Sequence, residues 1–319
     1  MTRLATSWAI FQGLLIEALP FLLLGVAIAG LARWLVPQSA WIQRLPNHPL
    51  LAPIVGALLG FALPACECGN VPVARRLLAS GAPLGTGFGF LFAAPVLNPI
   101  VLASTWIAFP DQTWLLWARP IGAFLIALSL SALLGLLPES ELLAAALLEE
   151  RRLSQPLARV GLLDRRSGLV GLTTNSSRSL LADDSPQPSQ LLRHSTREFL
   201  GLLSLLVVGC ALAAAVQTWL PRSWLLALGS SPTVSVLALM LLALVVSVCS
   251  SVDAFLALGF AAQVTPGALL AFLLLGPVVD LKLAGLFTVL LSTRAIVITA
   301  CAASLLVLLI GQWVNLALL

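Results

Sequence analysis

Apolar residues gather along this chain in stretches of 20 or more, with most polar residues at the joints between them. About 20 apolar residues are needed for a helix to cross the ~30 Å hydrocarbon core of a bilayer. The stretches at 8–32, 114–137, 199–220 and 295–316 each predict one spanning helix. Two longer regions, 50–108 and 233–291, exceed one crossing and are interrupted. Each predicts two spans joined by a tight turn. The expected fold is all-α: a polytopic helical membrane protein of about eight spans.

A polar stretch at 138–197 divides the chain into a first four-span unit, 1–137, and a second, 198–319. Its first part, 139–154, is expected to form a surface helix. Its second part, 168–190, is rich in Ser, Thr, Pro and Asp and reads as a linker. The stretch carries eight of the 17 basic residues, which predicts a cytoplasmic location. With four spans before it, both termini are then expected in the cytoplasm, and Arg119 among the residues of the opposite face.

The interrupted regions resemble one another. Cys66-Glu67-Cys68-Gly69-Asn70 aligns with Cys249-Ser250-Ser251-Val252-Asp253 at an offset of 183, as does Pro83 with Pro266. Phe90, Pro95 and Asn98 align with Phe272, Pro277 and Asp280 at an offset of 182. This is an internal duplication. Two units of four spans each would share one orientation in the membrane.

Each region contains two helix breakers. Proline lacks the amide hydrogen a helix needs, and glycine loosens the backbone. Cys68 lies 13 residues before Gly81 in the first turn, and Pro95 lies 14 after it. At 1.5 Å per residue both breaks sit about 20 Å from the turn, near mid-membrane. The second region repeats the spacing. Unwound backbone at that depth must be buried or line a cavity, as at the sites of many secondary transporters. Asn70, Asn98, Asp253 and Asp280 stand where they would cap half-helices. The positive helix ends would then face an anionic or strongly polar solute.

Composition sharpens this picture. Hydrophobic residues make up 60% of the chain and charged ones 9%, against about 25% charged in a soluble domain. That excludes a soluble enzyme, a disordered chain and a nucleic-acid binder. Glu67, Asp253, Asp280 and Lys282 are nonetheless expected at mid-membrane depth, with Glu17 higher in the first span. Intramembrane ionisable residues point to function, here proton coupling; the alternative is an internal salt bridge from Lys282 to Asp280 or Asp253. Neighbours two apart do not share a helix face, so Asp280 and Lys282 pair only if the backbone between them is unwound.

Cys66 and Cys68 form a Cys-x-Cys that can hold a soft solute through two thiols, with Cys249 as a third candidate. Packing of two small apolar side chains is the alternative. Cys210 and Cys301 read as buried hydrophobes. His48 and His194 lie in loops, so no zinc site is expected. No cofactor, phosphate-binding loop or catalytic pairing is predicted, and Gly85-Thr86-Gly87-Phe88-Gly89 reads as close helix packing.

The run Leu63-Pro64-Ala65-Cys66-Glu67-Cys68-Gly69-Asn70-Val71-Pro72, followed by Ala94-Pro95-Val96-Leu97-Asn98-Pro99, resembles the bacterial predicted-permease family that includes the ArsP-type organoarsenical exporters. The resemblance implies a permease in which Cys66 and Cys68 contact a soft solute such as a trivalent arsenical. Glu67 stands where the family often has a small residue, which adds negative charge beside the thiols and favours a cation or a proton-linked role.

The expectation is an inner-membrane secondary transporter, not an enzyme, working in efflux. Cys66, Cys68, Gly69, Asn70, Pro95, Asn98, Cys249, Asp253, Pro277 and Asp280 would line its site; Glu67, Asp253, Asp280 and Lys282 are the proton-coupling candidates. Its partners would be the lipid bilayer and a small solute, with a homo-oligomer or an accessory subunit left open. Two other classes compete: a non-catalytic subunit of a permease complex, and a membrane thiol oxidoreductase.

Overall fold

The computed structural model describes residues 3–35, 45–62, 67–154, 188–219 and 232–318. The first half comprises α1 (Arg3–Leu35), α2 (Leu51–Ala62), α3 (Glu67–Ala79), α4 (Leu84–Leu97), α5 (Pro99–Ala108) and α6 (Thr113–Gly135). Two short helices follow, α7 (Glu139–Leu142) and α8 (Ala145–Ser154), where one surface helix was expected. The second half comprises α9 (Pro188–Trp219), α10 (Pro232–Val246), α11 (Asp253–Leu258), a 3-10 turn (Ala261–Gln263), α12 (Pro266–Leu275), α13 (Leu281–Phe287) and α14 (Thr293–Leu318). The described residues contain no strand, only an isolated bridge between Leu143 and Leu291. Most of the expected linker, and Cys66 with Pro64, lie outside the described residues.

Among the described residues, five helical stretches are long and apolar enough to cross a membrane: Leu4–Leu31, Leu84–Ala108, Thr113–Gly135, Phe199–Trp219 and Thr293–Leu318. The apolar helices Leu51–Ala62, Pro232–Val246 and Pro266–Leu275 are shorter. At 1.5 Å per residue, a 12-residue helix such as α2 reaches only about 18 Å, roughly halfway through the hydrocarbon.

Glycines set the tightest packing. A Cβ on Gly56 would lie 2.2 Å from the Thr86 carbonyl, one on Gly60 2.7 Å from Ala94, and one on Gly89 2.4 Å from the Pro53 carbonyl. Backbones approach this closely only where side chains are absent, which matches the reading of the 85–89 glycines. These pairs also fix direction. Residues 53, 56 and 60 meet 89, 90 and 94 in the same order, so α2 and α4 run parallel. The helix between them, α3, must therefore turn back, and its last residues reach the start of α4, where Leu78 fills the space beside Gly87. Accordingly α2 and α3 enter and leave on one face.

The second half repeats this. Gly311 of α14 meets Val236 and Ala271, while Asn315 donates to the Pro232 carbonyl and accepts from Gly267 N–H. Both α10 and α12 thus run antiparallel to α14, hence parallel to each other, and α11 turns back between them.

These contacts do not confirm the expected eight crossings in two units of like orientation. Leu142 and Ala144, just after α6, hydrogen-bond to Ser292 and Leu290, just before α14. The end of α6 therefore meets the start of α14, and the two helices run antiparallel. Units of like orientation would need them parallel. The C-terminal end of α14 lies at the end of the bundle away from α7 and α8. On the α8 face, Arg151 is buried and donates to the carbonyls of Leu78 and Ala82 at 2.8 and 2.7 Å, capping α3. Arg75 pairs with Glu150 at 2.8 Å.

Candidate functional site: a buried charge cluster at the chain breaks

The breaks form as the local sequence dictates. Asn98 leaves the helical region (φ −62°, ψ 132°) and its side chain accepts from Ile100 N–H at 2.9 Å, with Pro99 opening α5. Asp280 does the same for α13, accepting from Leu283 N–H at 2.5 Å. The other two expected caps are not caps. Asn70 lies inside α3, which already begins at Glu67. Asp253 is the first residue of α11, and its carboxylate is engaged elsewhere.

At the end of α10, Ser247 adopts φ 47°, a left-handed conformation that costs a non-glycine residue about 1–2 kcal/mol. This stops the helix and leaves its end carbonyls to be satisfied by side chains. Gln217 Nε2 donates to Val246 O at 2.6 Å and Lys282 Nζ to Ser247 O at 3.2 Å. A cation is favoured at a helix C-terminus, so Lys282 also suits the field there; in the turn that follows, an Arg119 guanidinium N–H donates to Ser250 O at 3.3 Å.

Glu67, at the tip of the first turn-back, reaches the tip of the second. One carboxylate oxygen lies 3.0 Å from Lys282 Nζ; the other accepts from Ser250 Oγ at 3.2 Å, with the Cys249 thiol at 3.7 Å. Asp280 Oδ2 is 3.7 Å from the same Lys282 ammonium. The unwound backbone before α13 makes that pairing possible, as the sequence required. The Lys282 partner differs from both expected ones in that Glu67 is nearest. Asp253 belongs to a second pair: it binds Arg119 at 2.5 Å, and Arg119 also donates to Thr105 Oγ1 at 2.7 Å. Arg119 is fully buried, not at the surface as its loop-side position suggested.

A narrow crevice too tight for a water molecule lies beside Glu67, lined by Leu14, Glu17, Ala18, Cys68, Cys249 and Lys282. Glu17 thus sits at the cluster's level, not above it. Cys68 and Cys249 are both buried there. Gly69 faces Gly25 of α1, where a Cβ would lie 2.2 Å from the Gly69 carbonyl. Pro95 and Pro277 are buried within or beside the breaks of α4–α5 and α12–α13, and neither they nor Asn98 line the crevice. Cys210 is buried as expected, but Cys301 is exposed on α14. Among the described residues no three His, Cys, Asp or Glu side chains are grouped as metal ligands.

Three buried carboxylates, Glu67, Asp253 and Asp280, face two buried cations, Lys282 and Arg119. Burying such charges costs several kcal/mol per ion, and apolar replacements commonly hold a fold at least as well. Stability therefore does not account for them. When ionised they leave the cluster net negative, and Glu17 adds to that. Sequence reasoning missed Arg119, Ser247 and Ser250. Arg119 carried a signal, a lone charge within an otherwise apolar span; Ser247 carried none, because its role comes from a backbone angle.

The family profile described as "Predicted permease" matches residues 3–316. The chain is 37% identical to the UPF0718 protein YcgR of Bacillus subtilis over 86% of its own length and 85% of that protein's. It is 31% identical to a protein of Streptococcus mutans named "Putative two-component membrane permease complex subunit", over 86% of its own length and 83% of that protein's. No solved structure matches it. The chain belongs to the predicted-permease family, ArsP_1.

Proposed function

We propose that this member of the predicted-permease family is a secondary transporter of the inner membrane, with its translocation site at the charge cluster between the two turn-backs. The observation that carries the reading is the meeting of Glu67, Lys282, Asp280 and Asp253, contributed by chain breaks in both halves, with Arg119 of α6, where no stability argument needs charges.

The reading includes an arrangement. Each half makes three crossings (α1, α4–α5 and α6; α9, α12–α13 and α14) plus one helical hairpin that enters halfway (α2–α3; α10–α11). Three is odd, so the halves are inverted relative to one another, and the hairpins enter from opposite faces. Two facts support this. Glu67 and Ser250, equivalent at the offset of 183, touch each other, as residues beside a two-fold axis do. The basic residues also sort better. Among the described residues, Arg75, Arg76, Arg151, Arg152, Arg197 and Arg294 lie at the α8 face, while Arg119 and Lys282 are buried inside. The α8 face is then cytoplasmic and the termini are outside. This replaces the cytoplasmic termini expected from eight crossings.

The net negative cluster disfavours an anion. The two thiols at the crevice, Cys68 and Cys249, suit a neutral or cationic thiol-reactive solute such as a trivalent organoarsenical, with Cys66 a further candidate. Outward movement would be exchanged against protons carried by the carboxylates. A strain lacking the protein should accumulate such a solute. Inverted vesicles containing it should take the solute up when acidified inside, and Glu67→Gln should abolish uptake. Uptake unchanged by Glu67→Gln rejects this site. A second reading, a subunit of a permease complex, is favoured by the name of the Streptococcus mutans relative. Stable co-purification of a second membrane protein, with no transport by this chain alone in liposomes, would select it.

A further inference from the structure

Lys282 is the only lysine in the chain. Its ammonium is held by Glu67 Oε1 at 3.0 Å, by the Ser247 carbonyl at 3.2 Å, and by Asp280 Oδ2 at 3.7 Å. The Ser247 carbonyl is directed there by a left-handed residue at the end of α10. Asp280 Oδ2 is buried and has no hydrogen-bond partner. Two carboxylates and an unwound helix-end carbonyl form an all-oxygen donor set of the kind that binds hard cations. The set converges where a half-helix C-terminus points its negative end, beside the tight crevice that Glu17 also lines.

We propose that this is a monovalent-cation site which the chain fills with its own side chain, the Lys282 ammonium standing where a sodium or potassium ion would otherwise sit. The tethered cation neutralises the hairpin tip without drawing on a dissolved ion. Transport by this protein therefore needs no sodium; that consequence rests on the permease reading, whereas the binding site itself does not. Removing the lysine leaves Glu67 and Asp280 facing each other with no cation between them. Two such buried carboxylates repel strongly and are each costly to leave unpaired. A small cation entering the vacated space restores the balance.

The test uses the purified full-length chain in detergent, with thermal unfolding followed in sodium, potassium or choline chloride at equal ionic strength. The wild type should unfold at the same temperature in all three. Lys282→Ala and Lys282→Gln should each unfold earlier in choline, and regain stability saturably in sodium or potassium by about 5 °C or more. Adding Glu67→Gln to Lys282→Ala removes one ligand and should abolish the recovery. A recovery equal in choline overturns the proposal, as does one produced by acid alone, since protonated carboxylates would then have replaced the cation. Lysine variants that stay unfolded in all three salts also overturn it. None of these readouts involves transport, so a failure here leaves the permease reading to stand or fall on its own uptake experiment.

Discussion

The carboxylate of Glu67 and the ammonium of Lys282 stand 215 positions apart in the chain, yet meet at 3.0 Å with neither side chain more than 3% exposed. A contact of such separation, between the tip of one hairpin and the break of the opposite half, ties the two halves together. Its energetics are lopsided. Removing one partner leaves the other buried and unpaired, whereas replacing both leaves nothing unsatisfied.

Glu67→Gln alone should therefore destabilise the protein by about 3–5 kcal/mol. Glu67→Gln combined with Lys282→Met should recover most of that loss while remaining inactive in uptake. Thermal unfolding of the purified variants measures the first effect and vesicle uptake the second. A double variant no more stable than the single one would show that the pair is not coupled.

The pair Arg119–Asp253 should behave as a latch on the second hairpin. Arg119 joins α6 to the tip through Asp253 and Ser250 O, and to α5 through Thr105. Arg119→Met should cost about 3–5 kcal/mol. The double change Arg119→Met with Asp253→Leu should restore stability. Limited proteolysis from the outer face should cut near 259–265 in Arg119→Met and not in the double variant. Equal cutting in both would dissociate the latch from the hairpin.

Side chains at the glycine contacts should fail in proportion to the space lost. A Cβ on Gly267 would lie 1.9 Å from the Gly311 carbonyl, a backbone atom that cannot move aside. Gly267→Ala should lower the yield of folded protein sharply. Gly13 has nothing within 4 Å, so Gly13→Ala should fold normally and gain about 1 kcal/mol from helix propensity. Size-exclusion profiles of the two variants make the comparison, and equal profiles would contradict the packing described.

The inverted arrangement proposed above makes a topology prediction. A periplasm-active phosphatase fused after α14 should be active, and the same reporter inserted at 170 should be inactive. Fusions giving the same result at both places would return the termini and the polar loop to one side.

The thiols should separate by position. Cys68→Ser and Cys249→Ser should each reduce efflux of a thiol-reactive solute at least tenfold, because both face the crevice. Cys301→Ser should leave it unchanged, since that thiol is on the exposed surface of α14. Loss of efflux on changing Cys301 would move the solute path away from the crevice.

Much of this was legible locally. The apolar stretches predicted α1, α6, α9 and α14 to within a few residues at most ends, though α9 begins well before the expected 199. The Asn98-Pro99 break and the Asp280 cap follow from residues adjacent in the chain. The 183-residue offset marked Glu67 and Ser250 as equivalents before any contact between them was known. One further signal lies in the first hairpin arm. The 67–79 segment carries Glu67, Asn70, Arg75 and Arg76 within 13 residues, and nine of the 13 are buried. Such a helix cannot face lipid, which argues for a protein-buried hairpin arm over a crossing.

What the sequence determined by itself is where helices form and where they stop, because apolar length, proline and capping act over a few residues. What only the tertiary structure decided is whether the chain goes on through a break or turns back. The chain continues after Asn98 and returns after Ala62, although both places read as an apolar run, a breaker and a second run. The choice depends on which neighbour covers each segment: α3 is enclosed by α1, α4 and α13, and Gly25 lets its backbone press against α1. Those partners lie far away in the chain, so their effect on direction, and with it the pairing of Glu67 with Lys282, has no local signature.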